Sequence, residues 1–262
     1  MKSVYAGDEK VAEFESYDKL RVGDGKPAFI YEGNELVYPN PVKDGLVLWY
    51  DFSGRTNADG QRGIAEDLSG NGNHGTLQNF NYTIESGYDK NKLLFDGVDD
   101  NIIIPSVFSG TNSYSLSICF KLLSPPTQHS GIFMFSGGIG RIWFRIFNKY
   151  TLGFNAYFGT GMDYSRTFKV INTGYMIHVT AVIDRANNTI KLYYDGEEVS
   201  VTDISAAKDI NWSNGDYANT SFLPSYMPSN AEYYDMKIYN RPLTPEEIAH
   251  NYAIEKERFG IE

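Results

Sequence analysis

Short runs in which apolar and polar residues alternate recur along this chain and restrict what it can fold into. In the clearest run, Tyr114–Leu123, the Tyr, Leu, Ile and Phe residues share one side, while Ser, Cys and Lys share the other. An alternation with a period of two residues predicts a strand that buries one face. Similar runs recur from Gly45 onward and are separated by turns rich in Gly, Asn and Asp. This density of strands predicts an all-β, antiparallel, two-sheet sandwich.

Residues 45–75 form the most distinctive stretch, GLVLWYDFSGRTNADGQRGIAEDLSGNGNHG. Leu46–Phe52 is predicted to be a strand, and Asp51 stands in it among bulky apolar neighbours. Burying such a carboxylate is costly unless another group pairs with it. The segment DLSGNGNHG then predicts a tight polar turn, because Gly and Asn tolerate left-handed backbone.

Several motifs resemble the laminin-G-like jelly roll of the concanavalin A-like lectin/glucanase superfamily. They are WYDF, DLSGNGNHGTL, LLFDGVDDNIIIP, HVTAVIDRANNTIKLYYDGEEV and YYDMKIYNRPLTPEEIAHNY, in this order, and they cover about Gly45 to Ile261. The resemblance implies a jelly-roll domain over residues 41–262, with the sandwich ending near Asn240. Because this superfold carries lectins, enzymes and structural modules alike, the resemblance leaves the function open.

A short helix is predicted to follow the last strand. In Thr244-Pro-Glu-Glu247, Thr is the expected N-cap, Pro occupies the first helical position, and the second Glu completes a capping box. Ile248 and Tyr252 share one face of this helix, which we expect to pack on the sandwich.

Residues 1–40 differ from the rest of the chain. Three short segments, SVYAGDEKVAEF, LRVGDGKPAFIY and FIYEGNELVYP, each place a Gly turn (Gly7, Gly23 or Gly33) between strand-like runs. These are hairpin signals. Because a few hairpins make a poor independent core, we interpret residues 1–40 as an attachment module stabilised by a partner. The alternative is a β extension packed on the main domain.

Composition excludes some partners. The formal net charge is −10 without a basic cluster, which argues against nucleic acid as a partner. The first residues, MKSVYAGDEKV, lack the apolar segment of a signal peptide, and no run has the ~18 apolar residues of a membrane span. The single cysteine, Cys119, allows no intrachain disulfide and is expected to be a small buried hydrophobe.

No catalytic motif is present in the sequence. The superfamily's glucanases carry a Glu-x-Asp-x-Glu strand whose carboxylates face one sugar, and this chain lacks that pattern. The four histidines lack metal-type spacing, and there is no nucleophile elbow or phosphate loop. We therefore expect no enzymatic activity.

A calcium site is one hypothesis for the oxygen-rich residues. Asp51, Asn71 of the polar turn, and Asp235 would converge if the first and last strands are neighbours, as is common in jelly rolls. Carboxylate and carbonyl oxygens suit calcium, and members of the family often carry such an ion. The alternative is that Asp51 and Asp235 cap turns or accept backbone hydrogen bonds.

A glycan site is predicted in the long loop Asp209–Tyr226. Its aromatic and polar residues offer flat apolar faces and hydrogen-bonding groups of the kind that bind sugars: Trp212, Asn214, Asp216, Tyr217 and Tyr226. Three strand aromatics, Trp143, Tyr157 and Tyr164, form a second candidate face, for which the alternative is a place in the core.

These features together favour a binding and structural protein. The hypothesis is a bacteriophage virion protein, made in the host cytoplasm and displayed on head or tail. Its N-terminal module would join other virion proteins or form a homo-oligomer, and its sandwich would bind a cell-wall or surface glycan. The alternatives are a secreted or wall-associated bacterial carbohydrate-binding protein and a glycoside hydrolase.

The predicted loop site has a direct test. Trp212→Ala should weaken binding to host-wall glycan by about 1–3 kcal/mol, the scale of a lost aromatic anchor, and leave the melting temperature nearly unchanged. Isothermal titration and thermal melts measure the two effects. A lower melting temperature with unaltered binding would place Trp212 in the core instead.

Overall fold

Antiparallel strands dominate the computed structural model of this chain, which describes residues 2–6, 9–14, 29–32, 35–105, 107, 113–125, 130–137, 140–147, 150–157, 163–207, 219–221 and 229–261. The chain divides into two units, Met1–Val42 and Lys43–Glu262, close to the predicted boundary after residue 40.

The strands, in chain order, are β1 Lys2–Ala6, β2 Glu9–Phe14, β3 Ile30–Glu32, β4 Glu35–Tyr38, β5 Leu46–Asp51, β6 Ile64–Ala65, β7 Gly75–Gln78, β8 Gly87–Asp89, β9 Lys92–Asp96 and β10 Asn101–Pro105. They continue with β11 Tyr114–Leu122, β12 Ser130–Gly137, β13 Gly140–Phe147, β14 Thr151–Tyr157, β15 Asp163–Val170, β16 Met176–Asp184, β17 Thr189–Tyr194, β18 Glu197–Asp203, β19 Asn219–Ser221 and β20 Asn230–Tyr239. One helix, α1 Pro245–Phe259, follows.

The first unit contains two antiparallel hairpins, β1–β2 and β3–β4. They confirm the predicted hairpins around Gly7 and Gly33, whereas the one around Gly23 lies outside the described residues. The Tyr38–Pro39 peptide bond is cis. Assembly through this unit stays a prediction.

The second unit is a sandwich, which confirms the predicted antiparallel jelly roll. Its larger layer has the strand order β18-β17-β16-β11-β20-β9-β8. On one edge of β20, β9 pairs with the first half of the strand and β5 pairs with the second half. Its other layer consists of the sheets β19-β10-β7-β6 and β12-β13-β14-β15, with β12 beside β19. The first and last strands of the sandwich are thus neighbours.

Alternation fixes which side chains enter the core between the layers. In β11, Tyr114, Leu116, Ile118, Phe120 and Leu122 all join one apolar cluster. Burying a side chain of this size stabilises the fold by roughly 1.5–3 kcal/mol. The opposite face of β11 is also buried, and Cys119 there packs with Tyr234 and Ile261, beneath the C-terminal segment.

Helix α1 begins as its sequence predicts. The Glu247 N–H donates to Thr244 Oγ1 at 3.3 Å, the Thr244 N–H donates to Glu247 Oε2 at 2.9 Å, and Pro245 opens the helix. These contacts satisfy N–H groups that have no partner inside the helix. The helix ends at Gly260, whose φ of 73° is left-handed.

The buried stripe of α1 is more polar than predicted. It comprises Ile248, Asn251 and Glu255, whereas Tyr252 is half-buried. Asn251 Nδ2 donates to the Tyr239 hydroxyl at 3.0 Å. Polar side chains fit here because the sheet face beneath them carries polar groups of its own.

Within the part of the chain that the structure describes, no helix combines the length and apolar character needed to cross a membrane.

Candidate functional site

The structure brings two of the three predicted metal ligands together. Asp51 on β5 lies opposite Asp235 on β20 in the strand register, and both are buried. Asp51 forms an ion pair with Arg258 of α1 and accepts from the Ser53 N–H at 2.9 Å. Asp235 contacts the ammonium group of Lys237 and accepts from Trp49 Nε1 at 2.8 Å. Each carboxylate therefore already has a cation of the chain beside it.

The third predicted ligand, Asn71, lies at the other end of β5. Its Nδ2 donates to the Leu46 carbonyl at 3.0 Å, and Leu46 and Asp51 are the two ends of this strand. The five residue steps of strand between them span about 16 Å. The three residues therefore do not fit one calcium ion in this arrangement, and calcium binding stays a sequence-based prediction.

The polar turn that contains Asn71 covers the free edge of β5. Asp67 accepts from the N–H groups of Trp49 and Ser69 at 2.9 Å and of Asn73 at 2.8 Å. The Leu68 N–H donates to the Trp49 carbonyl at 2.8 Å. This turn thus forms hydrogen bonds with backbone groups of β5 that would have no partner in an exposed edge strand. Its role in these contacts is structural.

A buried charge network joins the large sheet to α1. Lys237 contacts Asp235 and donates to Glu255 Oε1 at 2.5 Å, and all three are almost completely buried. Burial alone would lower the pKa of Lys237, but the carboxylates of Asp235 and Glu255 outweigh it and raise that pKa. Lys237 therefore stays charged, and its ammonium group contacts both acids.

A Ser, a His and a Glu meet beside this network without forming a catalytic triad. Ser117 Oγ lies 2.7 Å and Glu255 Oε2 lies 3.1 Å from the same nitrogen, Nε2 of His178. In a hydrolase the carboxylate binds the other ring nitrogen. None of the three side chains is more than 1% exposed, so substrate cannot reach them. Burial, followed by the charge of Lys237, lowers the pKa of His178 to about 4, so the imidazole is neutral at pH 7.

The predicted glycan-binding loop lies outside the described residues, which include none of Trp212, Asn214, Asp216, Tyr217 and Tyr226. Its role in binding stays a prediction. Of the strand aromatics, Tyr164 packs against the core and the side chain of Tyr157 is not described, whereas Trp143 lies on the outer face of its sheet.

A pocket of about 440 Å³ opens where residues 171–175 connect β15 to β16. Its volume lies in the range of ligand pockets. The lining residues come from both layers of the sandwich and from the end of α1: Lys121, Lys169, Val170, Ile171, Asn172, Gly174, Tyr175, Met176, Ile177, Tyr194, Asp195 and Gly260.

The pocket combines exposed apolar faces with polar groups. Tyr175 is 60% and Val170 is 69% exposed. Lys169 Nζ lies 4.6 Å from the centre of the Tyr194 ring, a cation–π distance. Asp195 accepts from the His178 N–H at 3.0 Å, and burial raises its pKa. This arrangement can stack on a sugar ring and hydrogen-bond its substituents.

Sequence reasoning missed this pocket. Its residues come from separate segments, so no local motif marks it. The available signal was Tyr175, an aromatic residue directly after the polar turn Asn172-Thr-Gly174 and before a strand.

A laminin-G family model, described as the concanavalin A-like lectin/glucanases superfamily, matches residues 96–249, more than half of the 262 residues. No curated protein matches the chain significantly in sequence.

Solved structures with the same fold are distant in sequence. The binding domain of Paraclostridial Mosquitocidal Protein 1 has a TM-score of 0.63 and 14% identity, over 80% of this chain and 52% of that chain. The ligand-binding domain of botulinum neurotoxin serotype D, solved with N-acetylneuraminic acid, has a TM-score of 0.64 and 16% identity, over 81% and 51%. The sialidase of Trypanosoma rangeli, solved with 2,3-difluorosialic acid, has a TM-score of 0.59 and 14% identity, over 83% and 34%. This chain spans about half the length of the first two, and the likeness concerns the fold alone.

The charge network predicts a large effect of one substitution. Lys237→Met should lower the free energy of unfolding by about 3–5 kcal/mol, because it leaves two buried carboxylates without their cation. Lys191→Met is the matched control: its side chain is 38% exposed and its ammonium group lies 3.5 Å from Glu198, so the change should stay within about 0.5 kcal/mol. Urea unfolding measures both. Equal effects of the two substitutions would contradict a role of Lys237 in holding α1.

Proposed function

Because this chain belongs to the concanavalin A-like lectin/glucanase superfamily, we propose that it is a non-enzymatic carbohydrate-binding protein that uses the pocket beside Tyr175. The observation that carries the proposal is the exposed Tyr175 at the rim of a 440 Å³ cavity. Ligand pockets are lined by aromatic and apolar side chains together with a few polar groups, and this cavity offers both.

The polar groups of the pocket suit a sugar with an acidic substituent. Lys121 and Lys169 bring positive charge to the lining of a chain whose net charge is −10. Lys121 already forms an ion pair with Glu232, with its Nζ 2.7 Å from Oε2. Lys169 is therefore the better candidate to bind an anion. Two structures similar to this chain were solved with sialic-acid ligands, which makes N-acetylneuraminic acid the first probe.

A binding role agrees with the placement of the acids. Glycoside hydrolysis uses a pair of carboxyl groups that reach the same sugar. Asp51 and Asp235 are buried beneath α1, Glu255 is a buried residue of α1 itself, and these acids contact Arg258 or Lys237. In the pocket, Asp195 is the single acidic lining residue.

The more specific hypothesis is a bacteriophage virion protein that displays this pocket on the particle surface. Two features support it: the first unit is distinct from the sandwich, and it consists of hairpins that offer edge strands to a partner. In this hypothesis residues 1–40 bind other virion proteins or further copies of the chain, and the sandwich binds a glycan of the host surface. Fixed copy number in purified particles would distinguish it from a secreted or wall-associated protein.

The pocket has a direct test with a matched control. Tyr175→Ala should weaken binding of a sialylated oligosaccharide by about 1–3 kcal/mol, because it removes the stacking face. Tyr150→Ala removes another exposed tyrosine of the sandwich, 41% exposed and outside the pocket, and should leave binding unchanged. Isothermal titration measures the affinities. Equal affinities of the two variants would exclude the pocket as the site.

The attachment hypothesis predicts that the two units are separable. A chain without residues 1–42 should keep the strand-rich circular dichroism spectrum and cooperative melting of the sandwich. It should fail to join the particle or oligomer that the full chain forms, as measured by co-purification and light scattering. Loss of the melting transition would show instead that the segment belongs to the core.

A further inference from the structure

One wall of the pocket beside Tyr175 carries a carboxylate whose position is fixed by a tight turn. Asp195 follows β17 and precedes Gly196, and both residues have a left-handed backbone, with φ of 49° and 82°. Two such residues in succession are typical of the turn that joins two antiparallel strands directly. The turn therefore holds the Asp195 carboxylate at a defined place in the lining of the cavity.

One of the two oxygens of this carboxylate has its donor within the chain, and the other does not. Asp195 Oδ1 accepts from the His178 N–H at 3.0 Å. Within the part of the chain that the structure describes, no group donates to Oδ2. The side chain is half-buried, and burial raises the pKa of Asp195. Because an ionised carboxylate only accepts, water or a ligand has to supply the donor for Oδ2.

A cation of the same pocket lies near this carboxylate without pairing with it. Lys169 Nζ lies 4.6 Å from the centre of the Tyr194 ring. The charge of Lys169 opposes the rise in the pKa of Asp195, yet the described part of the chain holds no ion pair between the two side chains. Both residues line the cavity of about 440 Å³. The pocket thus offers a positive and a negative group that stay separate, which leaves both of them for one ligand.

We propose that Asp195 determines which acidic sugars this pocket accepts: its Oδ2 accepts from a hydroxyl or amide N–H of the sugar, while Lys169 binds the acidic group. The inference rests on the proposed function, because it concerns the same pocket, and it adds the residue that orients the ligand. A carboxylate repels a second acidic group placed against it. The pocket therefore selects sugars that carry one acidic group and several uncharged donors, and it rejects sugars with acidic groups at both ends.

Asp195→Asn in the full-length chain tests this role. Asn also tolerates a left-handed backbone, and its carbonyl oxygen keeps the hydrogen bond from the His178 N–H. Its amino group then stands where Oδ2 stood and can only donate. Binding of N-acetylneuraminic acid, measured by titration calorimetry, should weaken at least tenfold, while the melting temperature stays unchanged.

Asp184→Asn is the matched control. It removes the same charge from the turn between β16 and β17, outside the pocket, and it keeps the hydrogen bond from the Asn187 N–H. Its affinity for N-acetylneuraminic acid should equal that of the wild-type chain. An equal loss of affinity in the two variants would overturn the inference, because net charge and not a contact of Asp195 would then govern binding.

The pH profile separates a contact with the ligand from a structural role. Protonation removes the acceptor, and the pKa of Asp195 is raised, so the affinity of the wild-type chain should fall on acidification below about pH 6, and that of Asp195→Asn should change less. The imidazole of His178 titrates later, because its pKa is about 4. The titratable groups whose charges act on Asp195 or respond to it are Lys169 of β15, His178 of β16, Tyr194 of β17, Cys119 of β11, and Tyr252 and Lys256 of α1.

Tyr175→Ala distinguishes a failure of this inference from a failure of the proposed function. If Tyr175→Ala weakens binding and Asp195→Asn does not, the inference is wrong and the proposed function stands. If neither variant weakens binding, or if the wild-type chain binds no acidic sugar, both are wrong. If Asp195→Asn lowers the melting temperature, the wild-type pH profile decides: a constant affinity on acidification overturns the inference, and a falling affinity supports it.

Discussion

The buried ammonium group of Lys237 is the interaction on which the packing of α1 against the large sheet depends. It lies on β20, the strand that pairs with β11 on one side and with β9 and β5 on the other. Asp235 on the same strand and Glu255 on α1 both need a positive charge, because a buried carboxylate without a partner is strongly unfavourable. One cation thus makes the closing strand and the helix mutually dependent. The ion pair between Arg258 of α1 and Asp51 links the helix to β5 in the same way.

This packing also shapes the candidate pocket. The hairpin turn between β17 and β18 contains Gly196, where a Cβ would come within 2.9 Å of the Tyr252 ring of α1. Asp195 precedes Gly196 in this turn. Its carboxylate accepts from the His178 N–H at 3.0 Å, and its own N–H donates to the His178 carbonyl at 2.8 Å. One wall of the pocket is therefore fixed by α1 and β16, while Tyr175 stands on the connection between the layers. A rigid scaffold with an exposed loop is the usual arrangement of recognition sites.

The elements that the sequence predicted best are those with a local physical cause. The alternation in Tyr114–Leu122 predicted which face of β11 enters the core, and the capping box at Thr244 predicted the start of α1. The neighbouring positions of Asp51 and Asp235 also followed, from the resemblance to a jelly roll. Their cations did not, because Arg258 lies 207 residues from Asp51 along the chain and only the packing of α1 brings it there. The pocket could not be predicted for the same reason, because only tertiary packing brings its lining residues together.

The polar turn DLSGNGNHG shows that a correct local prediction leaves the role of the oxygen atoms in the turn open. Its oxygen-rich composition suits a metal, yet Asp67 uses both oxygens on N–H and hydroxyl groups of the turn and of β5. The difference lies in where the backbone donors point, which composition does not encode.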